Sequence, residues 1–265
     1  MLGLVTHPNS RFRSSGEAVC ERVRHDLISS GIRTDRLVSD RNDAHDDRYG
    51  ISRSLVRRSA RAQAELEARW RSRISESTST PLDLAVKQAI GVKRGLASPA
   101  VLTRLLNIDY SHLRIWRHSL AVGAKATLVI EDDAQLVNDE IGRLVGSLMD
   151  RFEDKSVLVN CSESLDQRSL GVEDILQRAR VTDRLGAVDV RDPRPTITNT
   201  VCANLYSSAV LEKLIWHVDH RGLVPVVPID WRVNDFLIDN PNVSTWWLQP
   251  APFVQGSMHL GADAH

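Results

Sequence analysis

Apolar and polar positions along this chain follow two periods, and the switches between them mark out elements. Residues 2–7, LGLVTH, form a short apolar run of the kind that makes a buried strand, and the polar stretch PNSRFRSSG follows as loop. Ala18, Val19, Val23, Leu27 and Ile28 then recur at helical spacing, which predicts a helix over roughly 16–30 with Ser15 as N-cap and Gly31 as its stop. Residues 40–53 are polar and read as loop. A basic helix follows, with Ala62, Leu66, Trp70 and Ile74 as its apolar stripe, and SESTSTP at 75–81 reads as a linker. Ser98 before Pro99 predicts the cap and first position of a helix that Gly123 closes. KATLVIEDD opens a strand, 138–152 is an amphipathic helix, and 156–162 is a buried strand. Residues 198–218 read as strand, Ser-capped turn and helix. VPVVPIDWRVNDFLI and VSTWWLQPAPFVQ read as further strand and loop. Strand, loop and helix at the front end point to an α/β architecture.

Charge changes this picture only locally. Lys plus Arg and Asp plus Glu stand at 34 each, so the chain as a whole offers no argument for a nucleic-acid partner. Between 53 and 73, however, seven arginines face only Glu65 and Glu67. That helix is either a solvated face laced by Arg61–Glu65–Arg69 pairs, or a surface for anionic lipid or a phosphate-bearing acceptor. Cys20, Cys161 and Cys202 match no metal or redox spacing and read as reduced core thiols. No apolar run approaches a membrane span, and the start is too polar for a secretory signal, so a cytoplasmic chain is expected.

The candidate chemistry starts at ATLVIEDDAQL, residues 126–136, where Glu131, Asp132 and Asp133 follow an apolar strand. Carboxylates this close repel one another, so they either splay apart or gather round a cation. On a regular strand, Glu131 and Asp133 share one face and Asp132 takes the other. Oxygen ligands of this kind suit Mg²⁺ or Mn²⁺ beside a diphosphate. Acids near the positive end of a helix are the plainer reading. Asp230, between Ile229 and Trp231, has a partly apolar setting that fits a general base, and it equally fits a cap for the helix WRVNDFL.

SHLRIWRHSLAVGAKATLVIEDDAQL closely resembles the central block of family 25 glycosyltransferases, which include bacterial lipopolysaccharide and collagen galactosyltransferases. TNTVCANLYSSAVLEKLI, VPVVPIDWRVNDFL and QPAPFVQGS are similar to three later blocks of that family in order and spacing, and LGLVTHPNSRFRS to its first strand and Arg-containing loop. The family's usual Asn-Leu pair in that strand is replaced by Thr6 and His7. Residues 40–97 match nothing in it.

The resemblance implies a single A-type glycosyltransferase domain over 1–265, a Rossmann-like mixed sheet flanked by helices, with a basic helical insertion at about 40–97. It implies an inverting, metal-dependent transfer from a nucleoside-diphosphate sugar, with UDP-hexose expected, to a saccharide or glycolipid acceptor. Asp133 and Asp132, with His259, would hold Mn²⁺ or Mg²⁺. Arg11, Arg13, His112, Glu131, Asp132 and Gln255 would bind the donor, and Asp230 would be the base, with Asp235 or Glu163 next. A peripheral contact with anionic inner-membrane lipid would fit the basic helix. An accessory protein of the same fold without turnover is the alternative.

Overall fold

The computed structural model describes residues 1–7, 10–40, 51–75, 98–152, 155–163, 178–193 and 202–256. Its first half runs β1 (Leu2–Thr6), α1 (Arg13–Ser29), β2 (Arg36–Asp40), α2 (Arg53–Ser75), α3 (Pro99–Ala121), β3 (Ala126–Glu131), β4 (Ala134–Leu136) and α4 (Ile141–Met149). Then come β5 (Val157–Asn160), β6 (Ser162–Glu163), β7 (Arg180–Leu185), β8 (Val188–Asp192), β9 (Ala203–Ser207), α5 (Ser208–Arg221), α6 (Ile229–Asp239), β10 (Ser244–Gln249) and β11 (Phe253–Gln255).

Eight strands form one mixed sheet in the order β2-β1-β3-β9-β5-β10-β8-β7. β1 is parallel to β2 and β3, β9 runs antiparallel between β3 and β5, and β10 is parallel to β5. A smaller sheet has the order β4-β11-β6.

The period-2 pleat assigns the strand residues to two cores. Leu2, Leu4, Leu128 and Ile130 enter one core with Cys20, Val23 and Leu27 of α1 and Leu144 and Leu148 of α4. Val5 and Val129 enter the other, with Leu113, Ile115 and Trp116 of α3, Leu214 of α5 and Phe236 of α6. Strands covered on both faces read as continuous apolar runs, and such a clad mixed sheet is compatible with the Rossmann-like expectation. Gly3 lets α3 lie close on β1: a Cβ there would come within 2.4 Å of the Ile115 side chain. All three cysteines are buried and free, as expected. Among the described residues no helix is long and apolar enough to cross a membrane.

The caps at Ser98 and Ser207 form, each hydroxyl accepting a backbone N–H 3.3 Å away, and Gly31 and Gly123 take the positive φ that ends a helix. Other expectations fail for local reasons. α1 begins at Arg13 without a side-chain cap, because the Ser15 hydroxyl donates back to the Phe12 carbonyl, 2.7 Å away. Of the two readings of this segment, strand and loop fails and the helix at WRVNDFL holds: residues 229–239 form α6, with Ile229, Val233, Phe236 and Leu237 buried at helical spacing. The β7–β8 hairpin and β2 were not legible; β7 is a largely exposed edge strand with little apolar alternation.

Helix α2 buries Leu55, Val56, Ser59, Ala60 and Ala64 against Leu102, Leu106 and Val226, while Ala62 and Leu66 are only half-buried. At about 100° per residue Ala62 and Leu66 share the inward side of the helix with Leu55 and Ser59, and the side chains of Trp70 and Ile74 lie outside those described. The polar loop 41–50 and the segment 76–97, with nearly all of the expected linker, lie outside the described residues.

Candidate active site at the ends of β1 and β3

The chain leaves β1 toward β2 and leaves β3 toward the other half of the sheet. Diverging connections of this sort leave a crevice at the carboxyl ends of the strands. Thr6 ends β1 there, and Glu131 ends β3.

The acidic triplet does not continue the strand. Glu131 is the last residue of β3, Asp132 and Asp133 form a turn, and Ala134 opens β4 in the small sheet. The expected alternation of faces is therefore replaced by a fan, in which each acid meets its own donor. The Thr6 hydroxyl donates to Asp132 Oδ2 at 2.8 Å. His112 Nε2 lies 3.2 Å from Glu131 Oε1. The Gln255 amide donates to Asp133 Oδ2 at 3.1 Å, and the Cys202 thiol lies 3.8 Å from Asp133 Oδ1. Burial, and then the charges of Asp133 and Glu131, push the Cys202 thiol well above its ordinary range, so it stays protonated and can donate.

Two glycines fit the turn into place. A Cβ on Gly16 of α1 would lie 2.6 Å from Asp132 Cα, and one on Gly256 would lie 2.8 Å from the Asp133 carbonyl oxygen. The Gly256 N–H bonds that same oxygen at 2.7 Å.

Helices α3 and α6 supply the second wall. His112 is fully buried and faces Glu131, which it holds at 3.2 Å. A carboxylate only accepts, so Nε2 carries the proton of this contact; Nδ1 has no hydrogen-bond partner among the described residues.

Asp230 lies in the first turn of α6, half-buried; the N-cap position is Pro228, and the Asp230 carboxyl meets free backbone N–H groups of that first turn. Burial raises the Asp230 carboxyl to about 6; its own and Trp231's backbone N–H groups and His112 oppose the rise, and Glu131 adds to it.

Sequence reasoning missed the pair that fixes this wall. Arg232 Nε donates to the buried Asp109 of α3 at 2.6 Å, and its Nη atoms donate to the carbonyls of Gly222, Leu223 and Pro225. One guanidinium thus ties α3, the loop 222–225 and the start of α6 together. Burial pushes the Asp109 carboxyl up to about 7 in spite of Arg232. The available signal was Asp109 itself, a lone acid between the leucines and isoleucine of LLNIDYSHL.

The other expected residues scatter. Arg13 opens α1 and pairs with Glu17 at 3.1 Å, and exposed Arg11 lies 4.6 Å from the centre of the Phe12 ring; both follow β1 in the chain. Gln255 is present in the crevice as a partner of Asp133. His259 lies outside the described residues.

Among the described residues, the one group of metal-type side chains whose ligand atoms fall within 4.8 Å of one another is His217, Asp235 and Asp239, on α5 and α6. Those acids already have cations. Arg69 of α2 bridges Asp235 at 2.6 Å and Asp239 at 2.9 Å, and Arg221 bonds Asp239 at 2.5 Å. Burial alone would raise the Asp235 carboxyl, yet the His217 hydrogen bond and the nearby arginines outweigh it and hold it below the usual range, which suits an ion pair and not a base.

No protein-family model matches the chain, and no curated protein matches it.

Proposed function

We propose that the chain is a metal-dependent inverting glycosyltransferase that moves a hexose from a nucleoside-diphosphate donor, UDP-hexose first among candidates, to a saccharide or glycolipid acceptor. The observation that carries this reading is the division of labour in one crevice. Asp132 and Asp133 are oriented by uncharged donors at strand ends, while Asp230, on a separate element, has its carboxyl raised to about 6. One group of acids suits a charge-bearing leaving group, and the other suits a proton.

Asp132 and Asp133 fit a divalent cation. They offer hard oxygen donors, and Thr6 and Gln255 orient them as outer partners commonly orient ligating carboxylates. Mg²⁺ in particular takes one or two carboxylates and completes its sphere with substrate phosphate and water, so three converging acids are not required. Such an ion would neutralise charge on the departing diphosphate. Glu131, fixed by His112, would bond a hydroxyl of the donor, and Arg11 and Arg13 would face the diphosphate. Asp230 would accept the proton of the acceptor hydroxyl, since a group near 6 is largely ionised at neutral pH and still basic enough to take it. In-line attack places acceptor and leaving group on opposite sides of the anomeric carbon, and carboxylates on two different walls suit that requirement.

Release of UDP from UDP-hexoses, measured with and without Mn²⁺ beside calorimetry of UDP binding, tests the reading. Mn²⁺-dependent affinity and turnover are expected. Equal UDP affinity after chelation removes the metal from the proposal. Tight Mn²⁺-dependent binding with no turnover on any acceptor identifies an accessory protein instead.

A further inference from the structure

A second concavity lies on the same edge of the sheet as the acidic triplet. β3 and β5 both run antiparallel to β9, and β10 runs parallel to β5, so the carboxyl ends of β3, β5 and β10 emerge together. Beyond the end of β10 is a cavity of about 460 Å³ walled by Glu163, Arg184, Asp189, Arg191 and Gln249. Small-molecule sites commonly span about 300–1,000 Å³. The small sheet joins this cavity to the crevice. Asp133 precedes β4 and Glu163 ends β6, with only β11 between, a separation across the strands of two spacings or about 10 Å.

The chemistry of the wall narrows the occupant. Among the described residues of the wall, Glu163 and Asp189 balance Arg184 and Arg191, so neither an anion nor a cation meets a net opposite charge there. Arg184 Nε holds Asp189 Oδ1 at 2.7 Å, and Arg191 lies 3.7 Å from the other carboxylate oxygen, which sets fixed donors beside fixed acceptors. Glu163 and Gln249 are exposed. Among the described residues no aromatic or branched aliphatic side chain lines the space, so an apolar ligand gains little from this wall. A neutral ligand rich in vicinal hydroxyls uses both donors and acceptors. We infer that this cavity is the acceptor subsite and that it takes a neutral oligosaccharide. The inference rests on the transferase reading: an acceptor chain seated here would extend along the small sheet toward the triplet.

A glycan array probed with the full chain tests it, alongside calorimetry of UDP with Mn²⁺. Ala187→Trp fills the cavity from its exposed wall, and Arg184→Gln removes a donor without adding bulk. The expected result is binding to neutral oligosaccharides that both variants lose while UDP affinity is unchanged. Binding confined to acidic or basic glycans overturns the inference. So does the absence of glycan binding, or neutral-glycan binding that neither variant alters. Neutral-glycan binding at this wall by a chain that ignores UDP upholds the cavity and overturns the transferase reading.

Discussion

At Asp230, burial raises the carboxyl from the ordinary aspartate range to about 6, and this has opposite consequences for chemistry and for folding. A folded value above the unfolded one means that the native state binds the proton more tightly, so the ionised group opposes folding above about pH 6 and the penalty vanishes below about pH 4. Asp230→Asn is therefore expected to melt at or above the temperature of the parent chain at pH 7.5, with the two curves meeting near pH 4. The same substitution is expected to lower turnover by about 10²–10⁴-fold, the scale of lost general-base assistance, with UDP binding intact. It should also abolish a rise in kcat/KM centred near pH 6. A collapse of UDP affinity would instead place Asp230 on the donor. Asp133→Asn keeps shape and removes a charge, and is expected to cost about 100-fold or more in turnover with folding retained. The sequence made Asp230, Glu131, Asp132 and Asp133 visible because charged residues beside apolar runs stand out. It hid Asp109, Arg232, Thr6 and Cys202, whose parts depend on partners more than 60 positions away in the chain.

Among the elements, α2 departs furthest from its expected part. The Arg61–Glu65 half of the predicted ladder forms at 2.7 Å, but Arg69 crosses instead to Asp235 and Asp239 of α6. Ser59 accepts the Val226 N–H at 2.9 Å, and Leu55, Val56 and Ala60 complete a small core with Leu102 and Leu106. One face of the basic helix is thus an internal brace for the loop that precedes Asp230. Arg69→Gln is expected to speed amide exchange in α2 and α6 while β1 and β3 stay protected; uniform protection would mean that the apolar contact alone holds the helix. Arg57 and Arg58 are exposed on the other side and make no ion pair among the described residues. We propose that this side meets anionic lipid. Replacing Arg57 and Arg58 with Gln is then expected to reduce sedimentation with anionic vesicles at low salt, as raised salt should for the parent chain. A parent chain that ignores such vesicles would leave these arginines as solvated charge. Helical periodicity and Ser or Gly punctuation made α3, α4 and α5 readable. For α2 they gave the element and its inward side, while contact with α3 and α6 decides which residues of that side are most deeply covered.

For the whole molecule, alternating strands and helices were enough to predict the α/β class, since both faces of the central strands are apolar. They were not enough to predict strand order, which depends on pairings that no local pattern encodes. β9 inserts between β3 and β5, although about 40 residues separate it from β5 and about 70 from β3 along the chain. β10 then closes on β5 from later still. This order constrains how the protein is made. A ribosome releasing the chain from its N-terminus exposes β3 and β5 long before their shared neighbour exists, and each waits with an unpaired, apolar flank. Synthesis stopped at residue 200 is expected to yield an aggregating fragment, and synthesis through residue 256 a soluble one; a soluble, folded 1–200 fragment would mean that β3 and β5 find another partnership. Strands at 203–207 and 244–249 thus supply the middle of the sheet after β3 and β5 have been made, and an unfinished chain carries those two with open edges.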